Sequence, residues 1–154
     1  MSDSRPDLAI LVHDLSATGV VRNAIRIATM AAGAGLNTEM WVLHHRGAFA
    51  SRLPAGVAVH ALRHGRSLPL RRLETLMAAP RIATMIRDRK PAVLLSAGNH
   101  FHLAASLAYR LGGQPAATRF MGRASNATPR LGWPGLSAIA NAVDALKYRD
   151  MHRV

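Results

Sequence analysis

The succession of hydrophobic patterns over residues 8–43 constrains this chain more than any other feature. Leu8 to His13 (LAILVH) is a short apolar run that suits a buried strand. Asp14 to Gly19 is small and polar. Val20, Val21, Ala24, Ile27, Ala28 and Ala31 then recur at spacings of three and four, while Arg22, Asn23 and Arg26 fall largely on the other side. That is an amphipathic helix, and Gly33 and Gly35 can end it. Thr38 to Leu43 (TEMWVL) reads as a second strand. Strand, tight loop, helix, glycine stop and strand make a βαβ unit, which implies parallel pairing.

The alternation continues. His44 to Gly56 is a loop, and Val57 to Leu62 (VAVHAL) is a third strand. Leu70 to Arg89 is helical in pattern, with Leu70, Leu73, Met77, Ile82 and Ile86 as its apolar repeats. Pro80 should kink or divide that helix, and Pro91 stops it. Ala92 to Ser96 (AVLLS) is a fourth strand, Phe101 to Leu111 a small-residue helix, and Ala116 to Phe120 (AATRF) a weaker fifth strand. A Gly/Pro-rich loop runs from Met121 to Gly135, followed by a helical segment over about Leu136 to Arg149. The expected fold is a single Rossmann-like, doubly wound α/β domain with a mostly parallel sheet. Its expected bounds are residues 8–135, after a disordered segment 1–7 and before a C-terminal helical segment 136–154.

Composition narrows the function classes. The 154 residues amount to one ordinary domain. The absence of cysteine excludes disulfide scaffolds, Cys-ligated zinc, iron–sulfur clusters and thiol catalysis, and fits a reducing cytosol. No stretch approaches the ~20 continuous apolar residues of a membrane span. The polar start, Met1 to Asp7, does not read as a signal peptide. A cytoplasmic location follows as the expectation, with peripheral contact at the inner face of the membrane as its variant. The net charge is +12, and 18 of the 20 cations are arginine. Either coding bias or an anionic partner accounts for that: lipid headgroups, phosphorylated substrates or nucleic acid.

In doubly wound folds ligands bind where the carboxyl ends of strands meet helix N-termini. Three loops qualify. The first, His13 to Gly19, offers Ser16, Thr18 and Gly19; Gly19 lets backbone approach a ligand, while Ser16 or Thr18 could equally cap the helix. The spacing is neither GxGxxG nor GxxxxGK, which argues against a dinucleotide fingerprint or a P-loop. The second, Ser96 to His102, offers Asn99 and His100 for a substrate hydroxyl, with His100 as a general base; a capping Asn99 and solvated histidines are the alternative. His100 and His102 are two apart and share no helical face, so a two-His metal site is not expected. The third, Arg119 to Arg130, offers Arg119, Arg123 and Asn126 for phosphate or carboxylate, or is a basic surface loop. No basic–aromatic interleaving and no nucleic-acid-binding motif occurs, so nucleic acid is not an expected partner.

The loops in their order resemble the N-terminal domain of family 4-like glycosyltransferases of the GT-B architecture. ILVHDLSATGVVRNAIRIATMAAGAGLNTEMWVL is similar to that family's first strand, glycine loop, helix and second strand. LPAGVAVHAL resembles its third strand, and RDRKPAVLLSAGNHFHLAASLAYRLGGQP its fourth strand and following helix. ATRFMGRASN resembles its fifth strand and Arg/Asn loop. The likeness covers about residues 8–130. Thr18-Gly19 stands where the family commonly has two glycines, Ser96-Ala97 where many members place a histidine, and Ala92 where the usual residue is Asp.

The resemblance implies transfer of a sugar from a nucleotide-sugar donor to an acceptor glycan or lipid-linked acceptor, such as a cell-envelope polysaccharide, without a cofactor or catalytic metal. It implies that this domain mainly binds acceptor, that Thr18 and Gly19 approach the donor phosphate, and that Asn99 or His100 lies near the reaction centre. The family's donor-binding second domain has no counterpart here, so the expectation is half an enzyme, inactive until that domain is supplied in cis or in trans. The competing expectation is a basic α/β interaction module that binds anionic membrane or an acidic polymer.

Overall fold

The computed structural model describes residues 4–63 and 71–123, and leaves the side chains of Arg71, Arg72, Asn99 and His100 undescribed. The elements, in chain order, are β1 (Leu8–Val12), α1 (Gly19–Gly33), β2 (Thr38–His44), β3 (Val57–Arg63), α2 (Arg71–Met77), α3 (Ala79–Arg89), β4 (Val93–Ser96), α4 (Asn99–Leu111) and β5 (Arg119–Gly122). The strands form one sheet in the order β3-β2-β1-β4-β5, and every pairing is parallel. The chain therefore folds as the Rossmann-like α/β unit expected from its alternation. The expected C-terminal helical segment lies outside the described residues.

Two apolar layers sandwich the sheet. Even-numbered β1 and β2 residues, Ile10, Val12, Met40 and Val42, join Val21, Ala24 and Ala28 of α1. Odd-numbered ones, Ala9, Leu11, Trp41 and Leu43, meet Ile82 and Ile86 of α3 and Phe101, Ala105 and Ala108 of α4. Strands buried on both faces need continuous apolar runs, which is why LAILV and MWVL do not alternate. Alanine-rich α4 packs against α3 because small side chains permit close approach; Ala104, Ala105 and Ala108 are at most 1% exposed.

The helical stretch over 71–89 divides, as its proline implies: the break falls at Ala78, and Pro80 sits in the first turn of α3, where its missing N–H costs nothing. Three other sequence expectations need correction. The phase of α2 also differs: Leu73 and Met77 are exposed, while Glu74 is fully buried. The fifth strand begins at Arg119 rather than Ala116, because Pro115, Ala116 and Ala117 form a turn in which Thr118 N–H bonds to Pro115 C=O at 2.8 Å. Residues 4–7, expected to be disordered, are tied down. Arg5 donates to the carbonyls of Lys90 (2.6 Å) and Ala117 (2.5 Å), and Asp7 Oδ2 accepts from Asn37 N at 2.8 Å.

Candidate functional site

The strand order reverses between β1 and β4, since β1 continues to β2 on one side while β4 is reached only after α3. Loops on either side of such a switch point diverge and leave a crevice at the carboxyl ends. A cleft of about 120 Å³ opens there. His13, Asp14, Ser16 and Thr18 of the first loop line it, with Val12, Val20 and Val21 around them and Ala97, Gly98 and Phe101 opposite.

Local hydrogen bonds shape the first loop. Asp14 Oδ1 accepts from Ser16 N at 3.1 Å and from Ser16 Oγ at 2.5 Å, an Asx-type turn. His13 Nδ1 faces Asp14 Oδ2 at 3.2 Å. Thr18 is the N-cap of α1: its Oγ1 accepts from Val21 N at 3.3 Å. Gly19 heads the helix, and the space its Cβ would take is open. From below, the loop is stapled to the segment after β2. His44 N bonds to His13 O (2.9 Å), Leu15 N to Arg46 O (2.8 Å) and Phe49 N to Leu15 O (2.9 Å).

A buried polar cluster supports the cleft. Glu74 reaches from α2 to the ends of β1 and β2. Its Oε1 accepts from His44 Nε2 at 2.9 Å, and its Oε2 lies 3.5 Å from His13 Nε2. Arg63, at the end of β3, brings Nη1 to 3.9 Å from Glu74 Oε1. The His13 and His44 rings meet edge to face, 5.7 Å between centroids. With Nδ1 facing Asp14 and Nε2 facing Glu74, His13 has both ring nitrogens on carboxylates and holds Asp14 in place at the cleft. On the other side of the crevice Ser96 Oγ and His102 Nδ1 share a 2.8 Å hydrogen bond in the interior. Among the described residues no group of three or more His, Cys, Asp or Glu could hold a metal ion.

The residues singled out by sequence divide accordingly. Ser16, Thr18 and Gly19 lie together at the cleft. Asn99 and His100 form the first helical positions of α4, beside Gly98 on the cleft wall; Gly98, not Asn99, is the cap residue, and both side chains are outside the described set. Arg123 lies at the carboxyl end of the sheet, half-buried, its N–H bonded to Ser96 O at 3.0 Å. Arg119 is at the opposite, amino end: it pairs with Val93, the first residue of β4, and is exposed. The structure therefore does not bring Arg119 to the cleft. Asn126 lies outside the described residues.

Glu74 was not singled out from the sequence, and His44 read only as part of a basic patch with His45 and Arg46. The available signal was a carboxylate at position 74, four residues after Leu70 and three before Met77, on what read as an apolar face.

A second polar cluster lies toward the amino end of the sheet. Glu39, 1% exposed, accepts from Trp41 Nε1 at 2.7 Å, pairs with Arg89, and has His60 Nε2 3.5 Å away. Burial alone would raise the Glu39 carboxyl. The hydrogen bonds from Arg89 and Trp41, with the charges of His60 and Arg89, outweigh it and hold the group below the usual carboxylate range. No protein-family model and no curated protein sequence matches the chain.

Proposed function

We propose that the chain is the acceptor-side part of a GT-B glycosyltransferase resembling family 4, and that the first-loop cleft receives a hydroxyl of the sugar acceptor. One observation carries this reading. Among the described residues, those lining the cleft include a carboxylate, a histidine and two hydroxyls, but no lysine or arginine. A phosphate would favour cations around it, whereas here the Asp14 carboxylate lines the cleft and already occupies the Ser16 N–H. A sugar hydroxyl needs a donor and an acceptor side by side, with an apolar wall for the ring, and Phe101 and Val12 provide that wall. His13 buttresses Asp14, and the Asp14 carboxylate takes the hydroxyl proton as the new glycosidic bond forms. Asn99 and His100, whose backbone borders the cleft, complete its rim. Stabilising the departing nucleotide diphosphate falls to a second Rossmann-like unit in cis or in trans.

Two titrations test this. Simple methyl glycosides should shift the NMR signals of His13, Ser16 and Thr18, and Asp14→Asn should weaken that binding roughly tenfold, the loss of one hydrogen bond to a charged group. UDP- and GDP-sugars should bind the chain alone no better than about millimolar. Sub-millimolar donor binding with steady transfer would overturn the division of labour, and glycosides that leave the cleft unmoved would overturn its assignment. The +12 charge favours a second reading, a basic α/β module held on anionic membrane or an acidic polymer. A lipid-linked acceptor would unite the two. Among the described residues no helix is long and apolar enough to cross a membrane.

A further inference from the structure

Among the described residues the sheet has an unpaired edge remote from the cleft. β3 is its terminal strand, and among the described strands it pairs only with β2. An edge of this kind presents unpaired N–H and C=O groups along its length, which proteins usually blunt with proline, lysine or a bulge. β3 contains neither proline nor lysine, and five consecutive residues, Val57 to Ala61, keep regular register with Thr38 to Val42. Seven residues at about 3.3 Å each give an edge of roughly 23 Å.

Beside that edge an open groove of about 760 Å³ runs between β3 and α3. Pro80, Arg81 and Met85 of α3 line it together with His60, whereas Val59 and Ala61 turn their side chains to the α1 face of the sheet. Arg81 is exposed, and His60 is partly so. His60 turns its buried Nε2 toward Glu39, 3.5 Å away, so Arg81 is the exposed cation of this groove. Among the described residues the edge therefore combines unpaired backbone groups, the exposed cation Arg81 on its α3 side and the apolar Val59 and Ala61 on the other.

We propose that the β3 edge binds an extended acidic peptide segment of a partner protein by strand addition, with alternate acidic side chains on the α3 side facing Arg81 and the intervening apolar ones on the opposite face beside Val59 and Ala61. A second copy of the chain is the poorer occupant. Its own β3 holds Arg63 and His60 but no acidic residue to offer Arg81, in a molecule already carrying +12. The proposal uses neither the cleft nor the sugar-transfer reading.

The test is fluorescence polarisation with a labelled, end-capped octapeptide of alternating Glu and Val, beside its Lys/Val counterpart, using the full chain. The Glu peptide should bind, weaken with salt, and lose about tenfold or more in affinity on Arg81→Glu, or about threefold on Arg81→Ala. Amide hydrogen exchange should slow in β3 on binding, which adhesion to a basic surface elsewhere would not produce. The proposal is overturned by equal binding of the Lys peptide, by an Arg81→Glu variant of unchanged affinity, or by exchange protection that bypasses β3. Dimerisation through β3 in sedimentation, with no effect of the peptide, would also overturn it.

Discussion

Replacing Gly47 by alanine should unfasten the floor of the cleft. Gly47 has φ +125°, and an added Cβ would stand 2.3 Å from the carbonyl carbon of Leu15, 2.4 Å from its oxygen and 2.5 Å from Ser16 N. All three are backbone atoms, so no side chain can swing aside. The two loops must separate by about 1 Å to reach ordinary contact, and the bonds Leu15 N–Arg46 O and Phe49 N–Leu15 O bridge that gap. Losing both costs about 2 kcal/mol at roughly 1 kcal/mol each. Forcing alanine to positive φ adds about 1–2 kcal/mol. The sum, about 3–4 kcal/mol, corresponds to a fall in Tm of roughly 6–16 °C for a chain of this size. Gly56→Ala is the matched control: its φ is +83°, but its Cβ would meet nothing within 4 Å. It should lose only the backbone cost, roughly 1–2 kcal/mol. Thermal and urea unfolding followed by circular dichroism reads both. Equal losses in the two variants would refute the reasoning, because then the close approach to Leu15 contributes nothing. Glycoside-induced shifts at Ser16 and Thr18 should also disappear in Gly47→Ala alone.

Two further outcomes follow from charge. The Glu39 carboxyl is depressed in the folded protein relative to an ordinary value near 4.5, so its contribution is present above that pH and is lost as pH falls through the lower folded value. The stability gap between wild type and Glu39→Gln should therefore be widest near pH 7, on the order of 1–3 kcal/mol, and close on acidification; a gap that widens toward pH 3 would contradict the pairing. Under the membrane reading, the chain should co-sediment with phosphatidylserine vesicles at low salt and release them steeply by about 0.3 M. Retention that ignores salt, or no binding at all, removes that reading.

The sheet was legible because βαβ units announce themselves through two periodicities at once. LAILV and TEMWVL are continuous apolar runs, while Val21, Ala24 and Ala28 repeat at helical spacing between them. Helix phase was less legible where burial is polar. At α2, Leu73 and Met77 satisfied the apolar template, yet Glu74 faces the interior because His44 and Arg63 wait there at the ends of strands far away in sequence. No local pattern encodes such a meeting. The same holds for the cleft. Ser16 and Thr18 could be found from the loop alone, but the role of Gly47 depends on contact with Leu15, more than thirty positions earlier.

The position of β1 carries a consequence for how the chain is made. Leu8 pairs with Thr38 on one side and with Val93 on the other. A ribosome releases the first partner soon after β1, but at about 5–20 residues per second the second emerges several seconds later. Through that interval the strand that ends as the centre of the sheet is an uncovered edge, and Ala9 and Leu11 lack the α3 and α4 side chains that later bury them. Long-range parallel pairing is also the slow part of folding. The nascent chain is thus most exposed to misassociation just before β4 arrives, and early-acting chaperones would find their binding site on the very residues that become the core.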